Sequence, residues 1–93
     1  MKIIQSRSFQ RKVRQFRKQE KKILDAQIKR IFNNPTIGLE KKGDLRGVYI
    51  HKFKAQTIQY LLSYRFGGNT LELIMIGPHE NYYRDLKRYL KDR

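Results

Sequence analysis

The 93-residue chain reads as a small α+β domain, with two N-terminal helices and a C-terminal helix packed on a mainly antiparallel four-stranded sheet. Three observations predict this. Apolar residues recur at helical spacing in the first third, three strand-like runs separated by turn signals fill the second half, and the last stretch returns to helical spacing. Residues 2–6 read as a short strand, and the hydroxyl of Ser6 or Ser8 is placed to accept from the free amides of the helix that follows. Phe9, Val13 and Phe16 fall at i, i+4 and i+7, and Leu24, Ile28 and Ile31 repeat that spacing. The polar run at residues 17–22, RKQEKK, interrupts the stripe without Gly or Pro and reads as either a turn between two antiparallel helices, the favoured reading, or the exposed middle of one long helix. Asn33, Asn34 and Pro35 stop the second helix, since Pro cannot continue it and disfavours helical geometry in the residue before it.

Residues 36–47 form a loop carrying three glycines and the charged run EKKGDLRG. Strands are predicted at residues 48–54, 57–66 and 70–76, the last two joined by the turn FGGN, whose glycines supply the positive φ of a tight hairpin. The sequence LELIMI is apolar on both faces and reads as a central strand. After Gly77 and Pro78, a helix over residues 79–90 has Tyr82, Leu86 and Tyr89 or Leu90 as its buried stripe. No repeat or linker divides the chain, so residues 1–93 are read as one domain.

Composition narrows the function. The chain carries 22 Lys plus Arg against 8 Asp plus Glu, a net charge of +14. Residues 1–34 hold 11 basic and 2 acidic side chains, whereas residues 55–77 hold one of each. The neutral stretch is the predicted core, and the surplus elsewhere implies a polyanionic or acidic partner. With no Cys there is no disulfide framework, thiolate zinc site or Cys nucleophile. Two His and scattered acids show no metal-ligand spacing, so the expectation is no metal and no cofactor. The longest apolar run, residues 73–76, is far short of the roughly 20 residues of a membrane span. The N-terminal MKIIQSRSF lacks the apolar segment of a signal peptide, so the expectation is a cytoplasmic protein without a membrane partner.

The order of elements, the strands LRGVYIHKFK and QYLLSYRF, and above all the closing GPHENYYRDLK resemble the RelE/ParE superfamily of bacterial type II toxins. The resemblance spans nearly the whole chain. It implies one of two activities: ribosome-associated, metal-independent cleavage of mRNA, as in the RelE-like members, or inhibition of DNA gyrase without cleavage, as in ParE-like members. Either implies an acidic antitoxin partner. Carried over residue by residue, His79 matches the His or Arg near the end of the last strand, Tyr83 the Tyr just beyond it, and Lys52 and Lys54 the basic pair on the first hairpin strand. One position departs. Where RelE has an Arg in the middle of the next strand, this chain has Leu61, and the nearest basic residue is Arg65, four along the same face.

The residue types suit RNA cleavage, in which a 2'-hydroxyl attacks its neighbouring phosphate. That reaction needs a proton acceptor, cations for the charged phosphorane and a proton donor for the leaving oxygen. Imidazoles titrate near neutrality, which makes His79 the donor. Tyr83, at i+4 on the expected helix, shares its face and is placed to stack on a base. Lys52, Lys54 and Arg65 supply charge, and a lysine lowered in pKa by cationic neighbours is one candidate base. Lys87 continues the His79 and Tyr83 face, and Lys41, Lys42, Arg46 and Arg88 complete the expected nucleic-acid contacts. Strand neighbours point to opposite faces, so if Lys52 lines the groove His51 faces the helices. A His51 and His79 pair is the second-choice mechanism, and Glu80 is an alternative base. The helix-borne run of cations Arg11, Lys12, Arg14, Arg17, Lys18, Lys21 and Lys22 reads as a surface that tracks phosphates without reading bases, as would suit ribosomal RNA. A plain basic RNA-binding protein remains the third reading.

Overall fold

The computed structural model describes residues 1–92. Its elements run β1 (Lys2–Gln5), α1 (Arg7–Arg14), α2 (Lys18–Asn33), β2 (Leu39–Glu40), β3 (Tyr49–Ala55), β4 (Ile58–Gly67), β5 (Thr70–Pro78) and α3 (Tyr82–Lys91). Single 3-10 turns at Pro35–Ile37 and Gly43–Leu45 flank β2. The sheet order is β1-β5-β4-β3-β2, with β1 parallel to β5 and every other pair antiparallel. The expected four strands are therefore five. β2 escapes sequence reading because two residues are too few to show alternation, and it exists only through pairing Leu39 with Ile50 and Glu40 with Tyr49.

The first helix start is set by one hydroxyl. Ser6 Oγ accepts from the Phe9 N–H at 3.0 Å and donates to the Ile74 carbonyl, so it caps α1 and ties its first turn to β5. The helix pair is present, but its break falls at residues 15–17, and the polar run 18–22 belongs to α2. The cause is local. Glu20 Oε1 accepts from the Arg17 N–H at 2.8 Å, starting α2 one turn earlier than its apolar stripe suggests. Phe16, on the linker, is still buried at 6% exposure.

The sheet is covered on both faces. Phe9, Leu24 and Ile31 from α1 and α2 pack with Phe53, Leu62, Leu71 and Leu73 on one face. Tyr82 and Leu86 of α3 pack with Val48, Ile50, Leu61 and Ile74 on the other. Burial on both sides explains why LELIMI lacks alternation. A β-bulge breaks the register between β4 and β5: Ser63 pairs with Met75 but Tyr64 with Leu73, which leaves Ile74 as the extra residue. Into this irregularity α3 sends the Tyr82 hydroxyl, which donates to the Met75 carbonyl at 2.7 Å and lies 2.9 Å from Ser63 Oγ.

A second tyrosine fixes the loop between α2 and β3. The fully buried Tyr64 donates to the Pro35 carbonyl at 2.7 Å and accepts from the Gly38 N–H at 2.9 Å. A Cβ at Gly38 would meet Tyr64 Oη at 2.7 Å and the Ile50 carbonyl at 2.9 Å, so this approach requires glycine. Removing the hydroxyl in Tyr64→Phe orphans one buried donor and one acceptor, a loss of about 1–3 kcal/mol. The expected result is a lower urea midpoint at unchanged slope. A wild-type midpoint would show that the loop does not depend on this tie.

Candidate nucleic-acid interface and catalytic cluster

The site forms where β5 hands over to α3. The expected helix over residues 79–90 begins instead at Tyr82, because Asn81 takes a left-handed backbone (φ 58°) and the Tyr82 N–H reaches the His79 carbonyl at 3.2 Å. His79 and Tyr83 are thus not neighbours along one helix. The turn brings them together all the same, with ring centroids 5.9 Å apart and planes nearly perpendicular at 83°. Lys41, leaving β2, places its Nζ 4.5 Å from the Tyr83 ring centroid, a cation over an aromatic face. The anchor for this arrangement is the neighbouring Tyr82, whose hydroxyl is held at the bulge and whose ring covers Gly77. Burial drives the Tyr82 phenol well above its ordinary pKa, outweighing the lowering effect of its bond to Ser63.

Sheet register places the lysines. Lys52 pairs with Leu61 and Leu61 with Gly77, so Lys52 and Gly77 lie two strand spacings, roughly 10 Å, apart in one row. Continuing the register past Pro78 puts His79 level with Gln59 and Lys54. Lys52 and Lys54 are exposed on the α3 face of the sheet. Lys52 and Tyr83 line one cleft of about 420 Å³ with Ile50, Leu39, Ile37 and Arg30, at the edge where β2 ends and β3 continues alone. Lys87, one turn beyond Tyr83 on α3, lines a separate hollow with Asp44 and Leu45, and Lys42, Arg46 and Arg88 are exposed around it.

Two expected features are placed elsewhere. Leu61 is fully buried in the cluster formed by α3, so the position at which RelE has an Arg holds a core residue here. Arg65 does not replace it: four residues along β4, roughly 13 Å away, it is ion-paired with Glu72 at 3.0 Å. His51 points to the helix face, as its alternation with Lys52 requires, and its Nε2 lies 2.7 Å from Gln27 Oε1. Sequence reading missed Arg30 and Leu39 as cleft residues. Their signal was hidden because Leu39 reaches Lys52 only through β2, and Arg30 only through the packing of α2 against the sheet.

With this geometry in view, the relatives can be compared. The family model described as the ParE-like toxin of type II bacterial toxin-antitoxin systems matches residues 3–87. The chain belongs to that toxin family. The fold of this toxin is similar to the YoeB/ParE toxin from Agrobacterium tumefaciens, at 20% identity and TM-score 0.68, covering 85% of this chain and 99% of that one. It is similar too to a chain of the intact E. coli RelBE toxin-antitoxin complex, at 16% identity and TM-score 0.69, covering 85% and 96%. No curated protein matches the sequence.

The position of His51 carries a pH signature. Burial first, then the nearby Arg30 charge, hold its pKa below the ordinary value of 6.5. The folded toxin therefore resists protonating a group that the unfolded chain protonates freely, and stability falls as pH drops below about 6.5. In denaturant titrations at pH 7.5 and 5.5, His51→Gln is expected to lose less stability over this interval than the wild type. An equal loss in the two proteins would place the pH dependence elsewhere.

Proposed function

We propose that this toxin is an endoribonuclease that cleaves mRNA on the ribosome, with His79 as its general acid. The observation that carries the reading is the convergence of His79, Tyr83, Lys41 and Lys52. An imidazole, an aromatic platform, the half-buried Lys41 and the exposed Lys52 meet on one open face of a domain with net charge +14. In this scheme the 2'-oxygen attacks the adjacent phosphorus and the 5'-oxygen departs with a proton from His79. Lys52 and Lys54 stabilise the phosphorane charge, and Tyr83 stacks on a flanking base. The reading assigns charge stabilisation to the lysines.

The basic residues of α1 and α2 would follow ribosomal RNA in the cytoplasm, and an acidic antitoxin segment would cover the same cationic face. That partner is supported by the family's description and by the toxin-antitoxin complex among the fold's neighbours. The ParE-like reading, gyrase inhibition without chemistry, is favoured by one observation: Leu61 is a core residue, so the middle of β4 offers no cation to a phosphate.

A cell-free translation reaction on a defined mRNA, with 5' ends mapped by primer extension, separates the two. New ends are expected with the wild type, in the presence of EDTA as well, and at a rate roughly 100- to 10,000-fold lower with His79→Ala. Intact mRNA with both proteins, together with loss of supercoiling in a gyrase reaction, would replace cleavage by the gyrase reading. Expression beside the neighbouring acidic protein is expected to restore growth. Continued arrest under co-expression would remove that protein as the antitoxin.

A further inference from the structure

The cleft at the open edge of β3 has a chemistry that cleavage does not use. Ile37, Leu39 and Ile50 give it an aliphatic wall, and Leu39 is left 66% exposed. Tyr83 closes it on the side of the candidate site. Arg30 stands at its rim, exposed on α2, and donates a long hydrogen bond of 3.4 Å to Gln27 Oε1. Gln27 Oε1 is at the same time 2.7 Å from His51 Nε2, so one amide touches both the guanidinium and the imidazole. The size of about 420 Å³ falls in the range of small-molecule sites.

We propose that this cleft holds one unpaired base of the bound RNA and that Arg30 selects guanine there. The inference rests on the RNA reading given above and deepens it. A splayed-out base needs an apolar wall, an aromatic neighbour and a polar group aimed at its edge, and these three are what Leu39 with Ile50, Tyr83 and Arg30 provide. A guanidinium fork matches the paired acceptors O6 and N7 of guanine better than any edge of the other bases. The surrounding cations Lys41 and Lys52 hold the phosphates on either side. An acidic peptide strand could also lie along this edge, since past Leu39 the sheet continues on β3 alone, but a strand would use the backbone and would have no need of the Arg30 fork.

The test is binding of fluorescent 2'-O-methyl tetranucleotides, which cannot be cleaved, to the full-length toxin. Three oligonucleotides each carry a single G, A or C within U, and the control is U alone. The wild type is expected to bind the G-containing oligonucleotide at least about 10-fold more tightly than the U control. Arg30→Lys keeps the charge but removes the fork, and is expected to reduce that ratio to about 2-fold or less. Leu39→Ser is expected to weaken all four oligonucleotides alike with the ratio kept. Both residues are exposed, and thermal melts of the variants confirm that the fold is retained. A ratio near one in the wild type, or a wild-type ratio in Arg30→Lys, overturns the assignment. So does an unchanged ratio accompanied by loss of antitoxin capture, which would make the edge a peptide site. The cell-free translation reaction, run with wild type and Arg30→Lys on an mRNA whose codons differ in G content, distinguishes the two readings. Guanine-selective binding without cleavage removes the nuclease and keeps the cleft, and cleavage without an Arg30-dependent preference removes the cleft and keeps the nuclease.

Discussion

The candidate site depends on where one phenol is held. Tyr82 lies under α3 with its hydroxyl fixed between the Met75 carbonyl and Ser63 Oγ, at the point where β5 bulges. A buried hydroxyl without partners would cost several kcal/mol, so the bulge and the phenol stabilise each other. With Tyr82 fixed, the residues on either side have little freedom. His79 sits on the turn three residues before it and Tyr83 on the first turn of helix after it, and their contact follows from that short lever.

Charge is arranged with a similar economy. Among the described residues the ion pairs are Arg65 with Glu72 and Arg84 with Asp85, so nearly all of the cationic surplus is left for water and for partners. Such a surplus opposes compaction by self-repulsion. The fold answers by placing its neutral segment at the centre of the sheet and its cations on α1, α2, the 41–46 loop and the exposed face of β3. The loop can carry Lys41 to the site because Tyr64 holds its start at Pro35 and Gly38, leaving only a few residues to span the remaining distance.

Much of this was legible in the residues and some was not, for identifiable reasons. Periodicity located both N-terminal helices, the three long strands and the buried stripe of α3, since each is long enough to repeat its pattern. The break between α1 and α2 was displaced because a single Glu20 contact outweighed the charge run, and the start of α3 because Asn81 adopted a left-handed turn that many residue types avoid. Alternation correctly put His51 and Lys52 on opposite faces. The sequence distance between Leu61 and Arg65, by contrast, concealed that one is core and the other ion-paired away from the cluster. Leu39 was invisible as a neighbour of Lys52 since a two-residue strand brings it there, and Arg30 since it comes from α2, far away in sequence.

The parallel pairing of β1 with β5 sets an order of assembly. Ser6 reaches Ile74 across 68 positions, the longest closure described in the chain. The β3–β4–β5 meander needs only short hairpin loops, whereas β1 and the capped start of α1 have nowhere to dock until β5 has been made. Long closures are entropically costly and late. On a translating ribosome this means that the N-terminal third, which holds most of the net positive charge, emerges first and waits as an unanchored cationic segment. Nascent toxin therefore meets the RNA around it as a basic chain before it acquires the folded face on which His79 and Tyr83 come together.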